Sequence, residues 1–212
     1  MRPLRKARSL CASRARAHRP ASATRRRRTA LDELGPLAPL AGTWEGAEGL
    51  DVSFSHSQAG AEETPFRERI SFEPFGPVNN GEQVLHGLDY RASAWRIGED
   101  DPFHMEVGYW LWDGAAGQVM RCFMVPRGST LIAGGAASPG DRELRMSAEA
   151  GSEVYGILSN PYLAEAARSV RYELTVRIEE DGVFSYEEDT VLAFRGEKEL
   201  FHHTDRNRLQ RV

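Results

Sequence analysis

Two histidines stand side by side near the end of the chain, in Phe201-His202-His203-Thr204-Asp205-Arg206-Asn207-Arg208-Leu209-Gln210-Arg211-Val212. An imidazole titrates near neutral pH, so one of this pair can be presented to a ligand or can move a proton. The stretch reads as a strand, and side chains on a strand alternate. Phe201, His203, Asp205, Asn207 and Leu209 therefore share one face, and His202, Thr204, Arg206 and Arg208 share the other. The face carrying two arginines belongs in water and the face carrying Phe201 and Leu209 in an interior. His203 is thus the inward candidate and His202 the alternative. One extra residue between 199 and 205 would exchange the two faces.

A second constellation lies mid-chain, where His104, Glu106, Gly108, Trp110 and Trp112 fall on one strand face. An inward Glu106 needs a cation, and Arg121 or Arg96 can supply it. His18, His56 and His86 have no motif around them. The sequence contains no nucleophile elbow, phosphate loop, paired catalytic carboxylates or His-Glu-x-x-His motif, which sets aside hydrolase, kinase and zinc-protease chemistry. Cys11 and Cys122 alone build neither a disulfide framework nor a cysteine zinc site.

The elements that would position these residues are strands. From Trp44 onward the chain runs in stretches of about ten residues rich in aromatic and β-branched types, separated by Gly, Pro, Asn and Asp. They lie near 42–56, 64–73, 82–96, 103–113, 118–126, 130–136, 143–149, 169–179, 183–194 and 200–212. In the clearest, Tyr172, Leu174, Val176 and Ile178 alternate with charged or hydroxylated residues, the mark of one buried and one wet face. Hairpin turns are expected at 113–117, 139–141 and 180–182, where Gly and Asp reach positive φ. Only 159–168 breaks the pattern, with Ser159 or Asn160 as cap, Pro161 at the first helical position and alanines behind it. Residues 29–41 suit a short turn that plugs one end. Ten consecutive antiparallel strands with one short helical segment close most economically into an up-and-down β-barrel of the lipocalin or fatty-acid-binding kind. A barrel of that size leaves a cavity. Gly128, Gly134 and Gly135 mark a corner or the close approach of another body.

The net charge of −4 conceals a division. Residues 1–28 hold ten arginines and Lys6 with no acid; removing those eleven from the 27 basic residues leaves 16 against 31 acids, a net of −15. Residues 1–33 have too little apolar surface to offset the entropy of ordering and are expected to form a disordered basic arm before a barrel domain at 34–212. The arm reads as a solvated tail or misplaced start, as an organellar transit peptide, or as a contact for nucleic acid or anionic lipid. The acidic barrel behind it is not expected to bind nucleic acid. No stretch approaches the ~20 apolar residues of a membrane span, and a soluble, cytoplasmic protein is expected.

Leu37-Ala38-Pro39-Leu40-Ala41-Gly42-Thr43-Trp44-Glu45-Gly46-Ala47-Glu48-Gly49 resembles the opening of the nitrobindin family, heme-binding barrels related to fatty-acid-binding proteins. The likeness continues at Pro102-Phe103-His104-Met105-Glu106-Val107-Gly108-Tyr109, at Gly117-Gln118-Val119 with Gly128 beyond, at Phe184-Ser185-Tyr186 and in the histidine-bearing end. It covers about residues 34–212, and the order and spacing of the pieces carry it. The resemblance implies ferric heme b near an open mouth, one axial histidine from the last strand, binding of nitric oxide and isomerisation of peroxynitrite to nitrate. The family's Pro-His-Leu-x-Ala-x-Leu corresponds here to His202-His203-Thr204-Asp205-Arg206-Asn207-Arg208-Leu209, which puts the ligand at His203 or one residue past it, on Thr204. It also implies a pocket that includes His104, Thr43 and Trp44. An axial histidine needs its other nitrogen on a carbonyl or carboxylate. The competing reading is a heme-free carrier of fatty acids or other apolar small molecules, with Arg121, Arg171 and Tyr172 available to anchor a carboxylate.

Overall fold

The computed structural model describes residues 31–180 and 182–212, so nearly all of the basic arm and Asp181 of the expected turn at 180–182 lie outside the described residues. A 3-10 turn, Gly35–Leu40, leads into β1 (Gly42–Ser55), β2 (Gly60–Asn80), β3 (Gln83–Arg96), β4 (His104–Asp113), β5 (Gln118–Val125), β6 (Ser129–Ala136), β7 (Glu143–Ala150) and β8 (Gly156–Ser159). Helix α1 (Pro161–Ala166), β9 (Ala167–Glu180), β10 (Val183–Phe194) and β11 (Phe201–Arg211) follow. The strands close into a barrel in the order β1-β11-β10-β9-β7-β8-β6-β5-β4-β3-β2. Among the described residues no helix is long and apolar enough to cross a membrane.

The ten-strand antiparallel meander thus becomes eleven strands with one parallel pairing. The addition, β8, wedges between β6 and β7, antiparallel to the first and parallel to the second. Its four residues are too short to show alternation, and Leu158 at its centre is exposed. Behind it α1 forms as its sequence dictates: Asn160 caps it, accepting a hydrogen bond from the Leu163 N–H at 3.0 Å, and Pro161 opens the first turn.

Alternation holds along β9, where Tyr172, Leu174, Val176 and Ile178 are all buried. It is broken once in β1. There Gly46 pairs with Glu68 and Gly49 with Phe66, so β1 spends three residues where β2 spends two. This bulge lets Trp44 and Asp51, an odd number of residues apart, both face inside. The glycines at 134 and 135 serve close approach: a Cβ on Gly134 would overlap the Tyr155 ring, and one on Gly135 the Arg145 carbonyl of β7. Gly128, at φ +80°, makes the β5–β6 turn.

One end of the barrel is shut by the 3-10 turn. Leu34, Leu37 and Leu40 are fully buried and pack with Trp44, Phe72, Leu88, Trp110, Trp112, Val119, Leu144, Val176, Phe184 and Leu209 into one core. The Trp44 indole N–H donates to the Leu40 carbonyl at 2.6 Å. Arg211, from the end of β11, lays its guanidinium 4.4 Å over the Trp44 ring and donates to the Pro39 and Ala41 carbonyls. The expected plug is present, and the last strand is tied to it.

Candidate functional site at the open end of the barrel

Above this apolar half, a layer of polar side chains crosses the interior. Arg121 on β5 is its centre, with a side chain only 6% exposed. Its Nη2 meets Glu106 Oε2 at 2.5 Å and the Tyr90 hydroxyl at 2.9 Å, while its Nη1 meets Glu188 Oε2 at 2.5 Å and bonds the Tyr172 hydroxyl. Tyr90 donates to Glu106, and Tyr172 donates to Glu188 at 2.8 Å. Burial on its own would raise the Glu106 carboxyl, but Arg121, His104 and Tyr90 outweigh it and hold it down at about 2. Beside this group Glu68 accepts hydrogen bonds from Tyr186 at 2.9 Å and Asn207 at 3.2 Å. It has no cation of its own, and burial pushes its carboxyl up to about 7. The sequence-level pairing of Glu106 with Arg121 is therefore what forms; Arg96 instead pairs with Glu99 on the surface.

The layer bears on the carrier reading. Arg121 and Tyr172 face inside, as an anchor for a carboxylate would, but Arg121 is already neutralised by two carboxylates. Arg171, on the outer face, meets Glu173 at 3.5 Å.

His203 lies where the strand pattern puts it. β10 and β11 pair without interruption from Val183↔Gln210 to Leu192↔Phe201, so no bulge disturbs the last strand. Asn207 and Leu209 are buried, while His202, Arg206 and Arg208 are exposed. The inward His203 is 31% exposed and donates from Nε2 to Asp51 Oδ1 at 2.6 Å; Asp205 Oδ2 stands 3.7 Å from the same nitrogen. Burial disfavours the charged ring, yet the bond to Asp51 and the nearby carboxylates raise its pKa. For Asp51 the order reverses: burial would raise its carboxyl, and His203 brings it below the usual range. Asp205 is pushed well above that range, by burial and by the charges of Glu188 and Asp51. His202 looks out and bonds Asp189 at 2.7 Å.

His104 starts β4 close to the same carboxylates. Its Nε2 is 3.0 Å from Glu106 Oε1, and Asp205 and Glu188 act on it as they do on His203. Burial works against its charge, but Glu106 prevails and raises its pKa to about 9. The rim near His203 is aromatic: the Phe54 ring centroid lies 4.6 Å from Phe194, 5.5 Å from Phe201 and 5.1 Å from His56. On the His104 side Phe103 meets Phe66 at 5.9 Å.

His203 and His104 are thus brought together, whereas Thr43 and Trp44 are not. Trp44 is buried at the plugged end against Phe184, at 4.8 Å, and roughly 20 Å of strand separates it from Asp51. Thr43, between the inward Trp44 and Gly42, pairs with Ser71 outside the chamber. Asp51 is the residue that sequence reasoning missed. The bulge at Gly46–Gly49 turns it inward, and the glycines flanking Ala47-Glu48 were the available signal.

A family model described as the THAP4-like, heme-binding beta-barrel domain matches residues 33–211 of the sequence. The chain belongs to this heme-binding, nitrobindin family. Curated proteins compared by sequence give no match. Among solved structures, the crystal structure of Rv2717c from M. tuberculosis superposes with a TM-score of 0.60 at 22% identity, covering 85% of this chain and 97% of that one, a likeness of fold. The family's cofactor is heme, and the mouth suits it in one respect that can be tested on the geometry. A metal-bound histidine normally has one nitrogen held by a carboxylate and the other open. In His203 Asp51 holds Nε2, and Nδ1 has no partner among the described residues.

Proposed function

We propose that this barrel holds heme b at its open mouth on His203 and that the iron so held reacts with nitric oxide or peroxynitrite. The observation that carries this reading is the carboxylate-held imidazole of His203, facing inward at an aromatic rim in a chain of the heme-binding family. His203 would ligate through the nitrogen that Asp51 does not hold, and Asp51 would fix the ring and raise its basicity. Heme, when bound, supplies the iron at which nitric oxide binds and peroxynitrite is converted to nitrate.

The protein's own share is to orient and to shelter. Phe201, two residues from His203 on the same strand face and 5.5 Å from the Phe54 ring, offers apolar surface to a flat ring there. His104, protonated at neutral pH through Glu106, faces the same chamber and places an N–H donor there for an anionic reactant. The polar layer below, closed on itself around Arg121, limits how deep a ligand descends.

Reconstitution with hemin tests the reading. A Soret band that forms in the wild type and in His202→Ala but is lost in His203→Ala supports it, and a Soret shift on adding nitric oxide supports the reactivity. An unchanged band in His203→Ala would overturn the ligand assignment. Unaccelerated peroxynitrite decay in the heme-loaded protein would overturn the isomerase activity.

A further inference from the structure

His203 aims one nitrogen at two carboxylates. Nε2 is 2.6 Å from Asp51 Oδ1 and 3.7 Å from Asp205 Oδ2, and the three ligating atoms lie within 4.8 Å of one another. The backbone makes this grouping. Asp51 on β1 is the direct cross-strand partner of Asp205 on β11, and His203 sits two residues from Asp205 on the same face. Carboxylates directly opposite each other on one face of a sheet repel. Here both point into the barrel, Asp51 with 5% exposure, and Glu188 is the partner of Asp205 on its other side, so three inward acids form one cross-strand row.

The cations near that row are unevenly shared. Arg121 reaches Glu188 and Glu106. His104 bonds Glu106. His203 bonds Asp51, and Asp205, its carboxyl held well above the usual range, shares a hydrogen bond with Asp51. A divalent ion placed between the three groups would take over from the Asp205 proton, which relieves the repulsion that the strand register imposes.

We propose that Asp51, His203 and Asp205 form a binding site for a non-heme divalent metal ion of the zinc, manganese or ferrous class. An ion with one imidazole and two carboxylate ligands at about 2.1 Å holds donor atoms about 3 to 3.5 Å apart. The observed 2.6 and 3.7 Å separations bracket that range, and the three ligating atoms lie within 4.8 Å of one another, so side-chain rotations without a backbone change bring them to an ion. The ion takes the place of the Nε2 proton and of the Asp205 carboxyl proton, and both are released to solvent. The donors are imidazole and carboxylate without thiolate or thioether, which selects these ions over cuprous copper. His203 is 31% exposed, and the side of the ion facing the mouth remains open to water or to an anionic ligand. The site uses the nitrogen opposite to the one assigned to heme iron, and because both draw on His203 the two are alternative occupants.

Isothermal titration of the chelator-stripped, full-length protein with zinc chloride tests the site. The expected result is one zinc per chain, bound at least about tenfold more weakly by Asp51→Asn and by Asp205→Asn, not measurably by His203→Ala, and unchanged by His202→Ala. Circular dichroism establishes that each variant is folded; if Asp51→Asn is not, Asp205→Asn carries the comparison. Absence of zinc binding in the wild type, or wild-type affinity in the folded Asp205→Asn or His203→Ala variant, overturns the proposal. The readout is zinc alone, so it stands or falls separately from the Soret band.

Discussion

Arg121 and Glu106 meet inside the barrel with Nη2 and Oε2 2.5 Å apart, each side chain 6% exposed. Two charges so placed have lost almost all their water, and what keeps them is the completeness of their bonding. Arg121 also holds Glu188, and Tyr90 and Tyr172 fill the remaining directions. Removing one member of such a set leaves the others charged and unpaired, which is the expensive case for buried ions.

Arg121→Met should therefore destabilise the protein by about 3–5 kcal/mol, since Glu106 and Glu188 lose their cation together. Urea unfolding followed by fluorescence measures it. Adding Glu188→Gln to Arg121→Met should recover part of the loss, because Glu188 is the carboxylate left without a cation while Glu106 keeps His104. A single-variant effect below about 1 kcal/mol would mean that water reaches the layer.

His104 should titrate near pH 9 in the folded protein, well above an ordinary imidazole, and Glu106→Gln should lower that value by removing the bond and charge that raise it. The folded pKa lies above the unfolded one. The stabilisation from protonated His104 is therefore complete below about 6.5 and is lost as pH rises through about 9. A histidine-resolved NMR titration reads the pKa directly. Midpoints that coincide in the wild type and Glu106→Gln would remove Glu106 as the cause.

Glu68 runs on the same sign with a different consequence. Its carboxyl is raised from 4.5 to about 7, so the stability tied to its protonation is present below 4.5 and declines as pH rises to 7. Glu68→Gln keeps an oxygen for Tyr186 and Asn207 and cannot ionise. It should raise stability at pH 8 by on the order of 2–3 kcal/mol while changing little at pH 4. Denaturant midpoints at the two pH values decide; equal shifts at both would sink the attribution to charge.

The parts of this molecule that could be read in advance are those set by local rules. Alternation along residues 201–209 put His203 inside and Arg206 and Arg208 outside, and the Asn160-Pro161 pair announced α1. The demand of a buried Glu106 for a cation found Arg121 on the neighbouring strand. What escaped depended on register between distant segments. Asp51 reaches His203 across 152 residues of sequence only because a bulge in β1 reverses its face. β8 is a strand because β6 and β7 leave a place for it, not because its four residues demand one. Trp44 illustrates the reverse case: a residue conspicuous in the sequence, singled out with Thr43 for the pocket, serves the plug at the other end.

That separation of ends is itself testable. Leu37 is fully buried in the plug, and Leu37→Ala should lower stability by about 2–5 kcal/mol through lost contacts and a residual cavity. The mouth is built on the distant ends of β1, β10 and β11, so hemin added to folded Leu37→Ala should give the wild-type Soret position. His203→Ala should do the opposite, altering or abolishing the band while moving the unfolding midpoint far less, since its ring is 31% exposed. A Soret position displaced by Leu37→Ala as strongly as by His203→Ala would show the two ends to be coupled through the polar layer around Arg121, and the barrel would then have to be treated as one cooperative site.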